Sequence, residues 1–323
     1  MAAPAKPLVC IVTPGTREAN NGNWRTAVRW AGLLRDRFRI ILQSEWDATP
    51  ADALIALHAG RSAASIRAFA ERAPARPIAL VLTGTDIYRD YPASAAVNAS
   101  LESAHRIVAL QPEALALLPA AHRAKAQVIF QSARALRRKR KGGELRCVVV
   151  GHLRDEKDPR TLFAAVGQLP RALPISIRHI GAPLDAQLGE LATRLAQSDP
   201  RYRYEGAQPR HQARAAMQHA HLLVHPSKME GGANVIVEAV TAGTPVIGSR
   251  IAGNIGMLGP DYAGYFPPGD SRALAALLEK AARDRRWLAK LEHQCAARRP
   301  LFAPSAEARA VNALVRRLLR GQA

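Results

Sequence analysis

The chain has 323 residues and a formal net charge of +20, with 48% hydrophobic, 22% charged and only 5% aromatic residues. That apolar fraction supports packed cores and excludes disorder throughout, and the length suits about two domains. The positive field selects anionic partners; with few aromatics to stack on unpaired bases, a phosphorylated small molecule fits better than nucleic acid.

In chain order, "LVCIVTP" (8–14) reads as a buried strand and "NWRTAVRWAGLLRDR" (23–37) as a helix, with Ala27, Ala31 and Leu34 at helical spacing. Then come the strands "FRIILQS" (38–44) and "DALIALH" (52–58), the helix "AASIRAFAERA", and the strands "PIALVLTG" (77–84), "HRIVAL" (105–110) and "AQVIFQSA" (126–133). The rhythm resumes with "LRCVVVGHL" (145–153), the helix "PRTLFAAVGQL", and strands or strand ends at 175–181, 201–206, 221–226, 244–249 and 264–270. Helices are predicted at 184–197, 209–219, 234–242 and 271–281, and the tail 305–321 is one amphipathic helix. Strands alternating with helices imply parallel sheets with right-handed crossovers. Runs apolar throughout imply sheets covered on both faces.

The reading is therefore an α/β protein of two doubly wound, Rossmann-like domains. The first spans 1–135 and the second 146–304, joined by an exposed basic linker at 136–145, with the 305–323 helix returning to the first domain. Ligands of such sheets bind past the carboxyl ends of the strands, so two facing domains predict a central cleft. Cys10, Cys147 and Cys295 lie far apart, and the first two sit inside apolar strands, which predicts buried, inert thiols. No run approaches the ~18 apolar residues of a membrane span, and no secretory signal is visible, so a cytoplasmic protein is expected.

Chemistry concentrates after the 221–226 strand, in "HPSKMEGGANVIVEAVTAGTPVIGSRIAGN". Gly231 and Gly232 let backbone amides approach a ligand, and a helix beginning at Asn234 offers unpaired N–H groups to phosphate or sugar oxygens. Glu230 and Glu238 flank this turn, and a carboxylate can accept from vicinal hydroxyls. The stretch resembles the sugar-nucleotide signature of GT-B glycosyltransferases of the GT4 type. The resemblance implies that Glu238 holds ribose hydroxyls, and that Glu230, Gly231, Gly232, Ala233 and Asn234, with Ser227 nearby, hold the donor hexose. It also calls for an Arg and a Lys after the first strand of the second domain. In "VGHLRDEKDP" Lys157 matches, His152 stands where Arg is expected, and Arg154 follows two residues later. A neutral imidazole supplies less positive charge than that Arg.

In the first half, the loop after "LVCIV", which the resemblance places over the donor phosphates, reaches a helix opened by Gly22 and Asn23, an anion site, with Arg25 and Arg29 one turn apart. "LTGTDIYRDY" ends a strand with Thr85, Asp86 and Arg89, and His58 ends another. Together, "NNGNWRTA", "LTGTD", "VIFQSA" and "GHLRDEKDP" resemble the selenosugar synthase branch of selenoneine biosynthesis. That resemblance implies transfer of a sugar from UDP-glucose or UDP-N-acetylglucosamine to selenium of selenophosphate. It assigns Arg25, Arg29, Thr85 and Arg89 to the acceptor, and Glu230, Asp86 and His58 to the reacting centre. No metal or other cofactor is expected, nor a stable membrane association; other enzymes of that pathway are conceivable partners. The alternatives are a GT4-type enzyme with a hydroxyl acceptor, an RNA-binding module resting on 137–141 and bulk charge, and a dinucleotide dehydrogenase, which the non-matching "TPGTREANNGNW" disfavours.

Overall fold

The structure, a computed structural model, describes residues 5–15, 22–137, 139 and 143–321. The 16–21 loop and part of the basic run lie outside the described residues. The chain divides into two compact units, Met1–Gln131 with Pro304–Ala323, and Ser132–Ala303.

The first unit is built on β1 (Leu8–Val12), β2 (Arg39–Gln43), β3 (Ala53–Leu57), β4 (Ile78–Leu82), β5 (Arg106–Ala109) and β6 (Ala126–Val128), all parallel, in the order β2-β1-β3-β4-β5-β6. Its helices are α1 (Gly22–Leu34), α2 (Ala63–Arg72), α3 (Ala95–Ser103) and α4 (Ala120–Ala124). Neighbouring strand residues serve opposite faces, as the pleat requires. Val9, Ile11, Ile55 and Leu57 join one apolar cluster with Trp30 and Leu34 of α1. Cys10, Val12, Leu54 and Ala56 join another with Phe69 and Leu101. This is why β3 and β4 are buried at every position.

The second unit has β7 (Leu145–Val150), β8 (Ile175–Ile180), β9 (Tyr202–Tyr204), β10 (Leu222–His225), β11 (Val246–Ser249) and β12 (Tyr265–Phe266), again parallel, in the order β12-β11-β10-β7-β8-β9. Its helices are α5 (Pro159–Gln168), α6 (Ala186–Ser198), α7 (Arg210–His219), α8 (Asn234–Thr241), α9 (Ala252–Leu258), α10 (Ser271–Arg283) and α11 (Arg285–Arg298). The strand order reverses between β1 and β3 in the first sheet and between β7 and β10 in the second. Such switch points open a crevice at the strand carboxyl ends.

The tail helix α12 (Pro304–Arg320) completes one face of the first unit, inserting Val311, Leu314, Val315 and Leu318 into the cluster around Trp30. Glu307, with no exposed side-chain surface, accepts from Arg29 Nε at 2.7 Å and from Trp30 Nε1 at 2.8 Å. Arg29, expected at the acceptor, thus ties α1 to α12 through Glu307. Replacing Arg29 by alanine leaves a buried carboxylate without its cation, so a loss of about 3 kcal/mol in unfolding free energy is expected. Thermal unfolding reads that loss, and the acceptor KM should not change.

The segment expected as an exposed linker lies on the second unit. Leu136 N–H donates to Thr241 O and Lys139 N–H to Gln218 O, each at 3.1 Å, while Arg214 Nη2 donates to Arg134 O at 2.5 Å. These α7 and α8 groups give the segment's backbone the partners it needs. All three cysteines are free and buried, and burial pushes the Cys10 thiol up to about 12. No helix among the described residues is long and apolar enough to cross a membrane.

Candidate active site

The second unit's switch point brings together the turn after β7 and the loop after β10. Gly151 opens the first turn, and its carbonyl lies so near Gly181 that a Cβ there would sit 1.9 Å from the oxygen. Lys157 ends a 3-10 turn, Asp155–Lys157, and Asp158 then caps α5, accepting from Thr161 Oγ1 at 2.6 Å. This compact turn returns Lys157 toward the loop after β10.

There, Lys157 Nζ lies 2.5 Å from Glu230 Oε1, and His225 Nε2 lies 3.2 Å from the same oxygen. Both partners are mostly buried, at 21% and 10% side-chain exposure. Burial pushes the Glu230 carboxyl up, but the Lys157 ammonium and then His225 outweigh it and hold it well below the usual carboxylate range. Glu230 Oε2 has no partner among the described residues. Ser227, fully buried, has an unpartnered Oγ, while its carbonyl accepts from Ser249 Oγ at 2.5 Å. Beyond them the N–H groups of Gly231, Gly232, Ala233, Asn234 and Val235 find no acceptor among the described residues, and no side chain caps α8. A helix start with open amides beside a buried ammonium is a receptor for an anionic or hydroxylated ligand.

The other residues of the β7 turn contribute less than expected. His152 is exposed and its Nδ1 accepts from Ala182 N–H at 3.0 Å, so the ring secures the turn after β8. Arg154 is exposed, 3.8 Å from Glu156. Lys157 is the cation of this stretch that reaches Glu230.

Glu238 lies one turn into α8, 5% exposed. Its partner is a residue the sequence reading did not name: Arg210 on α7, with Nε at 2.8 Å and Nη2 at 2.6 Å from Oε1. Nothing in local spacing signals a pairing across 28 residues.

At the carboxyl edge of the first unit, His58 follows β3 with a left-handed backbone, φ 73°. That conformation is strained for a side chain other than Gly, Asn or Asp. Its Nδ1 accepts from Arg61 N–H at 3.2 Å, so Nε2 carries the proton and donates to Thr85 Oγ1 at 2.9 Å. Burial lowers the imidazole's basicity against the pull of Asp86, keeping it neutral. Asp86, fully buried, accepts from the N–H groups of Ala59, Thr83, Gly84 and Ile87 at 2.7–3.1 Å. Asp86, expected at the reacting centre, thereby welds the β3 and β4 ends together, its oxygens engaged by backbone amides. Arg89 is half-exposed and bonded to its neighbour Asp90 at 2.9 Å, so it too is partly spent. At the start of α1, Gly22 is exposed, and Asn23 and Arg25 are half-buried. Gln131, 2% exposed and unnamed by the sequence reading, braces this turn by donating to Thr26 Oγ1 at 2.8 Å.

The family Glycosyl transferases group 1 matches residues 132–299, just over half of the chain and nearly all of the second unit. No curated protein matches the sequence. Among solved structures, the sucrose-phosphate synthase of Thermosynechococcus elongatus is similar at a TM-score of 0.82 and 17% identity, over 98% of this chain and 100% of that one. Anabaena HepE in complex with UDP-glucose is similar at 0.74 and 16%, with coverage of 98% and 100%. A trehalose-6-phosphate synthase is similar at 0.72 and 13%, with coverage of 98% and 99%. At these identities the likeness is one of fold, and the two parallel-sheet units are those of GT-B enzymes. The match over 132–299 spans the switch-point receptor and more than half of the chain: the chain belongs to the group 1 glycosyl transferases.

Proposed function

We propose that the protein is a selenosugar synthase that moves the sugar of UDP-glucose or UDP-N-acetylglucosamine onto selenium of selenophosphate, releasing UDP. The donor half rests on the second unit. Open amides at 231–235 and Lys157 suit a diphosphate and hexose, and Glu238 suits a ribose diol. The HepE complex, of the same fold, holds UDP-glucose. The acceptor half rests on the resemblance of the first-half motifs and on one observation. The groups at the first unit's carboxyl edge that would act as bases have their lone pairs engaged: Asp86 by four backbone amides, and His58 Nδ1 by Arg61 N–H. An acceptor that is already ionised needs no base. Selenium of selenophosphate is such a nucleophile.

In the reaction, a selenium lone pair forms the bond to the anomeric carbon while the bond from that carbon to the UDP oxygen breaks, its electrons leaving with UDP. Water then cleaves the P–Se bond, giving phosphate and the 1-seleno-sugar. The test mixes the protein with each UDP-sugar and either selenophosphate or a panel of alcohols and sugar phosphates, following UDP release and product mass. A seleno-sugar mass with UDP release is expected for selenophosphate. UDP release with a hydroxyl acceptor, and none with selenophosphate, overturns the proposal.

A further inference from the structure

We infer that Arg210 is a positioning residue that sets Glu238 to grip the nucleotide's 2′- and 3′-hydroxyls, and so determines preference for ribose over deoxyribose. The inference rests on the proposed reading of Glu238 as the ribose ligand. Both guanidinium contacts, from Nε at 2.8 Å and from Nη2 at 2.6 Å, fall on Oε1. A carboxylate oxygen offers about two lone pairs, so Oε1 is saturated and Oε2 keeps its full capacity. Two hydroxyls of a vicinal diol can then converge on that oxygen. The planar fork also fixes the carboxylate's rotation, which a lysine's point charge would not.

The surroundings reinforce this division. Glu238 is 5% exposed, whereas the Arg210 side chain is 46% exposed, so the arginine reaches inward from the surface to a buried acid. Arg214, one turn further along α7, adds positive charge on the same side. Its buried Nε has no acceptor among the described residues, and its Nη2 is fixed on Arg134 O. Arg214 therefore supplies field without a direct bond, and orientation falls to Arg210. The buried face of α7 is made by Ala213, Ala216 and Met217, and Arg210 stands outside it.

Calorimetric titration of UDP and of 2′-deoxy-UDP into the intact protein tests the inference, with wild type, Arg210→Ala, Arg210→Lys and Glu238→Gln compared. Wild type should bind UDP at least about 10-fold more tightly than the deoxy form, the value of a hydroxyl on a charged acceptor. Arg210→Ala should bring that ratio to within about 3-fold of unity, and Arg210→Lys should lower it by about 3-fold or more. A purely structural role would weaken both ligands equally and leave the ratio intact. If Arg210→Ala does not fold, Arg210→Lys decides, and a full ratio in that variant overturns the inference. A collapsed ratio in Glu238→Gln with an intact one in both Arg210 variants overturns the role of Arg210 alone. An intact ratio in Glu238→Gln overturns the reading of Glu238 itself.

Discussion

Replacing Lys157 by methionine is expected to lower kcat/KM for glycosyl transfer by about two to three orders of magnitude, the usual cost of removing one preorganised group that stabilises developing charge. Lys157 is the buried cation of the switch-point receptor, and the amides at 231–235 cannot replace its full charge. The same substitution has a second signature in folding. In the wild type, burial favours a neutral Glu230, but Lys157 and His225 depress its carboxyl. A carboxyl depressed in the folded state adds stability above its unfolded value and loses it as pH falls through the folded value. Without Lys157, burial is opposed by His225 alone, and the folded carboxyl titrates higher. The variant then carries a penalty at neutral pH that fades on acidification. The gap in melting temperature between wild type and Lys157→Met should therefore narrow on acidification, as pH falls below the variant's folded carboxyl value toward the depressed wild-type one. A gap that stays constant as pH falls would uncouple Lys157 from Glu230 and remove the electrostatic account of the site.

The elements that could be read from the sequence were those with dense local signals. Each named strand has its counterpart, from Leu8–Val12 to Tyr265–Phe266, and the clearest, Ala53–Leu57 and Ile78–Leu82, are buried throughout and written as consecutive apolar residues. The start of α8 at Asn234 follows from the glycine pair before it. Helices with weak local signals escaped. Ala95–Ser103 carries no charge before Glu102 to mark an outer face, and Ala252–Leu258 contains two glycines. Arg285–Arg298 did carry a signal, since Trp287, Leu291 and Cys295 fall four residues apart and are its buried positions, beneath a dense polar surface. In the site, the receptor loop was legible because its parts are contiguous. The roles of Asp86, Arg29 and Arg210 were not, because their meaning lies in partners. Asp86 gathers amides from two strand ends, Arg29 meets Glu307 across 278 residues, and Arg210 meets Glu238 across 28. A polar residue at a strand end reads the same whether it faces a ligand or backbone.

The other large effect is expected at a residue that bears no functional group. Gly253 lies at the start of α9, and a Cβ built there would sit 2.0 Å from Glu230 O, 2.8 Å from Glu230 C and 2.9 Å from Glu230 Cβ. Two of those atoms are backbone, so no rotamer change relieves the overlap. Gly253→Ala must push the Glu230 loop away from α9 by on the order of an ångström, and a misplacement of that size can cost about 100-fold in rate. The variant keeps Lys157, Glu230, Glu238 and every receptor amide, so a rate loss of that size isolates placement from chemistry. Gly167→Ala in α5 supplies the contrast. That glycine is exposed with nothing within 4 Å of a built Cβ, so the change should leave activity intact and stabilise by about 0.5–1 kcal/mol through helix propensity. Initial rates and melting curves of the two variants decide the matter. Wild-type kcat/KM in Gly253→Ala would mean that the position of Glu230 against α9 does not govern transfer, and Lys157 would then act on the donor without its carboxylate partner being held in place.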